Sequence, residues 1–179
     1  PPCRVLLLNL CGNTLPTSKV FPHLNLKNYL CIKRYIMIDL KNLKGFVFYV
    51  DMLGFTALTQ DKIQLTKDDF NIWQVSKYFQ TLGNQEFAAN ILILFRKILT
   101  DCQNKYPKVN FTQLSDCAFV WSENMKDVIL SCHTIMWDCL QNGILCRGGI
   151  AYGDIIEDNN TNLGQMLLGN AVSKAVKLE

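Results

Sequence analysis

Two aspartates set in apolar sequence are the first residues whose type and placement suggest chemistry. Asp51 ends the aromatic and β-branched part of FVFYVDMLGFTALT, residues 46–59. Such a run predicts a strand buried on both faces, and a carboxylate at its end is held at a fixed point on a rigid frame. The turn that follows offers an anion the backbone N–H groups of Leu53, Gly54 and Phe55, and Thr56 adds a hydroxyl. Gly54 removes the side chain where a phosphate would approach. An aspartate before a glycine turn is also ordinary strand punctuation, so this string alone leaves both readings open. Asp116 stands at a tight turn in NFTQLSDCAFVW, residues 110–121, between two stretches that read as strands. Alone, it reads as a solvated turn residue. With this hairpin beside the first strand, the two carboxylates would converge. They would then repel unless cations neutralised them, and Mg²⁺ or Mn²⁺ suits oxygen ligands.

Two further strings carry candidate polar groups. In ILCRGGIAYGDI, residues 144–155, Arg147 admits two roles: facing phosphate, or a structural pair with Asp154 or Glu157. Tyr152 reads as a base-stacking ring or as core. Trp73, Trp121 and Trp137 read as packing. The last string, LLGNAVSKAVKLE, fills residues 167–179.

The elements that must position these residues follow from periodicity. A strand is expected over 45–51, a helix from Asp68 and Asp69 to about residue 79, and a longer amphipathic helix over 85–105, stopped by Pro107. Strands over 108–114 and 116–121 come next, then a helix over 125–140 closed by Gly143, and a strand over 144–156. Residues 158–162 read as a polar turn and 167–179 as the start of a last helix. Residues 1–44 read as an N-terminal extension, with two short apolar runs at 4–10 and 35–40. The order predicts an α+β fold, a ferredoxin-like βααββαβ sandwich with helices on one face of a single sheet.

In this order and at these separations, the blocks resemble the catalytic domain of class III nucleotidyl cyclases. That family carries an F-x-D-I-x-G-F-T block, a G-D hairpin, an R-x-G-I-x-x-G strand and a G-x-x-V-N-x-A-x-R-L-E helix. The resemblance covers residues 45–179. It implies Asp51, the Met52 carbonyl and Asp116 as ligands of two Mg²⁺ or Mn²⁺ ions, with Leu53, Gly54, Phe55 and Thr56 facing phosphate. Gly169, Val172, Ala175, Leu178 and Glu179 match the last motif in register. In the same register the family's ribose-orienting asparagine is Ser173, and its transition-state arginine is Lys177. The two purine-reading positions are Thr112 and Met166, so the usual adenine and guanine contacts are absent. That combination is similar to the Pycsar-type pyrimidine cyclases of bacterial anti-phage signalling. It implies UTP or CTP as substrate, cyclic UMP or cyclic CMP as product, and a homodimer with active sites at the subunit interface.

Composition bounds the alternatives. Apolar residues make up 49% and charged residues 18%, the balance of one globular domain. The net charge of +3 is spread along the chain, which gives no expectation of nucleic-acid binding. The eight cysteines form no C-x-x-C pair and read as reduced thiols, favouring a cytoplasmic protein. No apolar run reaches the ~18–20 residues of a membrane span. Two rival functions stand beside the enzyme: a degenerate cyclase fold that binds nucleotide without turnover, motivated by Ser173 and Lys177, and a non-catalytic interaction module.

Overall fold

The structure is a computed structural model, and it describes residues 40–73, 83–158 and 166–179. The expected runs at 4–10 and 35–39, the tail of the first helix beyond residue 73 and the turn at 159–162 lie outside those residues, as do Cys3, Cys11, His23 and Cys31.

Strand β1 (Leu40–Met52) is followed by three helices, α1 (Phe55–Thr59), α2 (Lys67–Ile72) and α3 (Asn84–Lys105). The hairpin β2 (Asn110–Leu114) and β3 (Cys117–Ser122) comes next, then α4 (Met125–Gln141), β4 (Cys146–Asp158), β5 (Met166–Leu168) and α5 (Asn170–Lys177). Among the described residues the strands make one five-stranded sheet in the order β2-β3-β1-β4-β5, antiparallel throughout. The α+β class and the element order follow the expectation. The three-residue strand β5, inside a stretch expected to begin a helix, is an addition.

β1 lies at the centre because its residues satisfy both faces. Phe48, Val50 and Met52 point into a core with Phe95, Ile98 and Leu99 of α3 and Val128, Ile135 and Cys139 of α4. Val47 points the other way, into a cluster with Trp121, Ala151 and Ile155 and with Ala171 and Ala175 of α5. Helices therefore cover both faces of the sheet, and the expectation of one covered face is corrected at α5. The reason lies in two small side chains: Ala171 and Ala175 recur at i, i+4 and form a narrow apolar stripe that seats against the strands. Gly149 makes this approach possible, since a Cβ there would stand 2.5 Å from the Ala175 carbonyl oxygen and 2.7 Å from Leu178 Cβ.

β1 begins at Leu40, earlier than the Gly45 start expected. Its first residues, Leu40 to Lys44, mix leucine with Lys and Asn and pair across to β4, with Lys41 Nζ 3.3 Å from Glu157 and Lys44 Nζ 4.0 Å from Asp154. Glu157 is also held by Trp121, whose Nε1–H donates to it at 2.7 Å. Trp121 is fully buried, whereas Trp137, expected in the packing, is 53% exposed on α4. Tyr152 is likewise 53% exposed, its ring 4.7 Å from that of Phe46.

Candidate active site

Cross-strand register assembles the site. β1 pairs with β3 so that Asp51 stands opposite Cys117, and with β4 so that Asp51 stands opposite Arg147. Arg147, Asp51 and Cys117 thus form one row across three strands. Ser115 and Asp116 are the two-residue loop of the β2–β3 hairpin, with Ser115 at φ 57°. Positive φ is what the strand twist selects in such short loops. The loop is fastened to the end of β1 by the Met52 N–H, which donates to the Asp116 carbonyl at 3.1 Å. Asp51 and Asp116 therefore meet at one end of the sheet. They line an open cleft of about 440 Å³ together with Met52, the turn 53–57, Lys62 and Arg147.

The turn departs from the sequence expectation in one donor. The Leu53 N–H is taken by the Leu145 carbonyl at 2.8 Å, because β4 runs alongside to that point. Gly54 and Phe55 remain as the turn's open donors among the described residues. Gly54 has φ 81°, and a Cβ there would meet nothing within 4 Å. Its glycine is required by the left-handed backbone rather than by crowding.

Arg147 corrects a second expectation. Neither Asp154 nor Glu157 is its partner, because both lie far along the same extended strand from Arg147, where they face Lys44 and Lys41. Instead Arg147 Nη2 lies 3.5 Å from Asp51 Oδ2, and its Nε pairs with Glu179 Oε1. Even so, the Asp51 carboxyl is pushed above the ordinary aspartate range. Burial contributes most, then the negative charges of Glu179 and Asp116, and the guanidinium only partly offsets them. Beside it, burial and a hydrogen bond with the Cys117 thiol push the Tyr49 hydroxyl up. Asp51 and Glu179 share the guanidinium while Asp116 has no part in it, an excess of negative charge that fits a divalent cation. Among the described residues no three carboxylate, imidazole or thiol groups close into a cage for a metal. Two carboxylates beside an open cleft suit an ion that keeps places for substrate oxygens.

Four candidates named from sequence stand away from this cleft. Ser173 and Lys177 are exposed on α5, and the Ser173 hydroxyl donates to its own helix at the Gly169 carbonyl, 3.4 Å away. Thr112 is on the edge strand β2 and Met166 on the opposite edge strand β5, with β3, β1 and β4 between them. Two residues went unassigned in the sequence, Lys62 in the cleft lining and Glu179 paired with Arg147. Glu179 matched a helix motif without a role, although its distance from Arg147 in a folded sheet is invisible along the chain. Lys62 sits in polar sequence with no periodic signal.

No protein-family model and no curated protein matches this sequence. Solved structures do. The chain is similar to a bacterial light-regulated adenylyl cyclase at 20% identity and a TM-score of 0.50, over 77% of this chain and 69% of that one. It is similar to the guanylyl cyclase Cya2 at 10% identity and a TM-score of 0.55, over 78% and 70%. A third likeness is a dimeric guanylyl cyclase domain of the RhoGC fusion protein from the aquatic fungus Blastocladiella emersonii, at 13% identity and a TM-score of 0.53, over 80% and 77%. The chain has the catalytic-domain fold of the class III nucleotidyl cyclases, the adenylyl and guanylyl cyclases. At these identities the likeness concerns the fold. No helix among the described residues is long and apolar enough to cross a membrane.

Proposed function

We propose that this domain is a nucleotide cyclase that converts a nucleoside triphosphate to its 3′,5′-cyclic monophosphate and pyrophosphate. One observation carries the reading: Asp51 and Asp116, remote in sequence, share a cleft with a glycine turn at one end of the sheet. In the reaction the ribose 3′-oxygen attacks the α-phosphorus, the bond to the β-phosphate breaks, and the 3′-hydroxyl proton leaves to solvent. Asp51, Asp116 and the Met52 carbonyl would hold two Mg²⁺ or Mn²⁺ ions. When bound, these supply acidification of the 3′-hydroxyl and charge for the leaving pyrophosphate. The chain's own part is positioning. Gly54 and Phe55 direct N–H groups, and Thr56 a hydroxyl, toward phosphate oxygens, while the Leu53 side chain shapes the rim.

Ser173 and Lys177 lie outside the cleft of their own chain, which supports a homodimer in which they reach the partner's site. Lys177 keeps the positive charge of the arginine it replaces but loses its planar fork. Thr112 and Met166 in place of the purine-reading pair favour UTP or CTP, since a pocket that hydrogen-bonds one base leaves groups unpaired with another. The D-x-L-G-F and S-D settings support a second-messenger role in anti-phage defence, as in the pyrimidine cyclases they resemble. A second reading, nucleotide binding without turnover, is favoured by the Ser173 hydroxyl being turned to its own helix.

Purified protein incubated with each of the four ribonucleoside triphosphates and Mn²⁺, with products identified by mass spectrometry, separates the two. Cyclic UMP or cyclic CMP is expected from the native chain and none from Asp51→Ala or Asp116→Ala, with unchanged circular dichroism. Full activity in Asp116→Ala would refute the ligand assignment. Nucleotide binding with no cyclic product from any triphosphate would establish the second reading.

A further inference from the structure

We infer, resting on the reading above, that Lys62 is a polyphosphate-contacting residue of this cleft, the cation that meets the β- and γ-phosphates and the departing pyrophosphate. Among the described residues, Arg147 and Lys62 are the cationic side chains that line the cleft. Arg147 is committed to two carboxylates, Asp51 and Glu179. The Lys62 ammonium makes no ion pair or hydrogen bond among the described residues. A site already rich in carboxylate charge needs a free positive group to accept a polyphosphate. Lysine supplies a compact charge with three donors, suited to non-bridging phosphate oxygens.

Local backbone geometry fixes Lys62 at this place. Helix α1 ends in a reversal in which the Lys62 N–H donates to the Ala57 carbonyl at 2.9 Å and the Asp61 N–H to the Leu58 carbonyl at 3.2 Å. The residue between helix and reversal is left-handed, and α4 closes in the same way through Gly143 at φ 76°. In α1 that position is Asp61, at φ 55°. Asp61 and Ser115 are the two non-glycine residues with positive φ among those described, and each directly precedes a charged residue of the cleft, Lys62 and Asp116 respectively. Backbone held in sparsely populated conformations gathers where a side chain must be aimed.

Calorimetric titration of the full chain with inorganic tripolyphosphate, with pyrophosphate and with UMP tests this, using Lys62→Ala, Lys62→Gln, Lys62→Arg and Asp51→Ala. Lys62→Ala and Lys62→Gln are expected to weaken tripolyphosphate and pyrophosphate binding about fivefold, the yield of one partly exposed charge contact. Lys62→Arg should restore most of that loss, and UMP affinity should stay unchanged. Thermal melting of Lys62→Gln should match the native chain, because the ammonium holds no partner among the described residues. Tripolyphosphate affinity within about twofold of native in both neutral variants overturns the inference while leaving the cyclase reading standing. A native chain that binds neither polyphosphate, with or without Mn²⁺, overturns both. Cyclic product lost in Asp51→Ala beside unchanged polyphosphate binding in Lys62→Gln overturns the inference alone.

Discussion

Replacing Asp51 with asparagine should stabilise the metal-free fold while removing activity. Asparagine keeps the shape of the side chain and deletes its charge. In the folded chain the Asp51 carboxyl titrates above its ordinary value, through burial first and then the Glu179 and Asp116 charges, with Arg147 opposing. For a group whose folded value is raised, the stabilising contribution is fully present below the unfolded value and is lost as pH rises through the folded one. At neutral pH the ionised Asp51 is therefore a cost to the fold, and in acid, where both states are protonated, the cost vanishes. Solvent screens a side chain that is 19% exposed, and charge contacts near a surface are each worth about 0.2–1 kcal/mol. With the Glu179 and Asp116 charges both acting on the carboxylate, a gain of about 1 kcal/mol is expected from Asp51→Asn. In a domain of this size that raises the melting temperature by about 3 °C. Thermal unfolding followed by circular dichroism, with chelator present, at neutral and at acid pH, measures it. The variant should melt above the native chain at neutral pH, and the gap should close in acid. Added Mn²⁺ should reverse the order, since only the native chain gains the ion's binding free energy. A variant that melts below the native chain in chelator at neutral pH, or a gap independent of pH, would refute the electrostatic account of the site.

Gly149→Ala should cost about 1–3 kcal/mol, the range for an overpacked core position, because the new methyl meets the Ala175 carbonyl and Leu178 where α5 crosses the sheet; denaturant titration checks it, and a midpoint unchanged from native contradicts the close seating of α5. Thr112→Lys combined with Met166→Asp should move product formation from pyrimidine toward purine cyclic nucleotides; competition between triphosphates, read by mass spectrometry, reports the ratio, and an unaltered ratio removes those two positions from base choice.

The register is where sequence reading and structure part company most instructively. Asp51, Asp116 and the glycine turn are legible in the sequence because each follows from a local rule: a buried run ends, a hairpin turns, a glycine takes a left-handed backbone. The partners of Arg147 are not legible, because they are set by a ladder that starts at Leu40, in the stretch LKNLK whose leucines do not alternate with a strand's period of two. Shifting that pairing by a single residue would turn every side chain of β4 to the other face. The Leu53 N–H escapes sequence reading for the same reason, since only the alignment of β4 with the end of β1 brings the Leu145 carbonyl to it.

By itself the sequence determined most of the strands and helices, a first strand buried on both faces, and the places of the two aspartates at a strand end and a hairpin turn. These properties depend on residue type and spacing along one stretch of chain. Tertiary structure alone decided that α5 covers the second face, that Arg147 is shared by Asp51 and Glu179, that Lys62 enters the cleft, and that Thr112 and Met166 stand at opposite edges of the sheet. Each of those depends on how distant segments align and pack, and no local pattern records it.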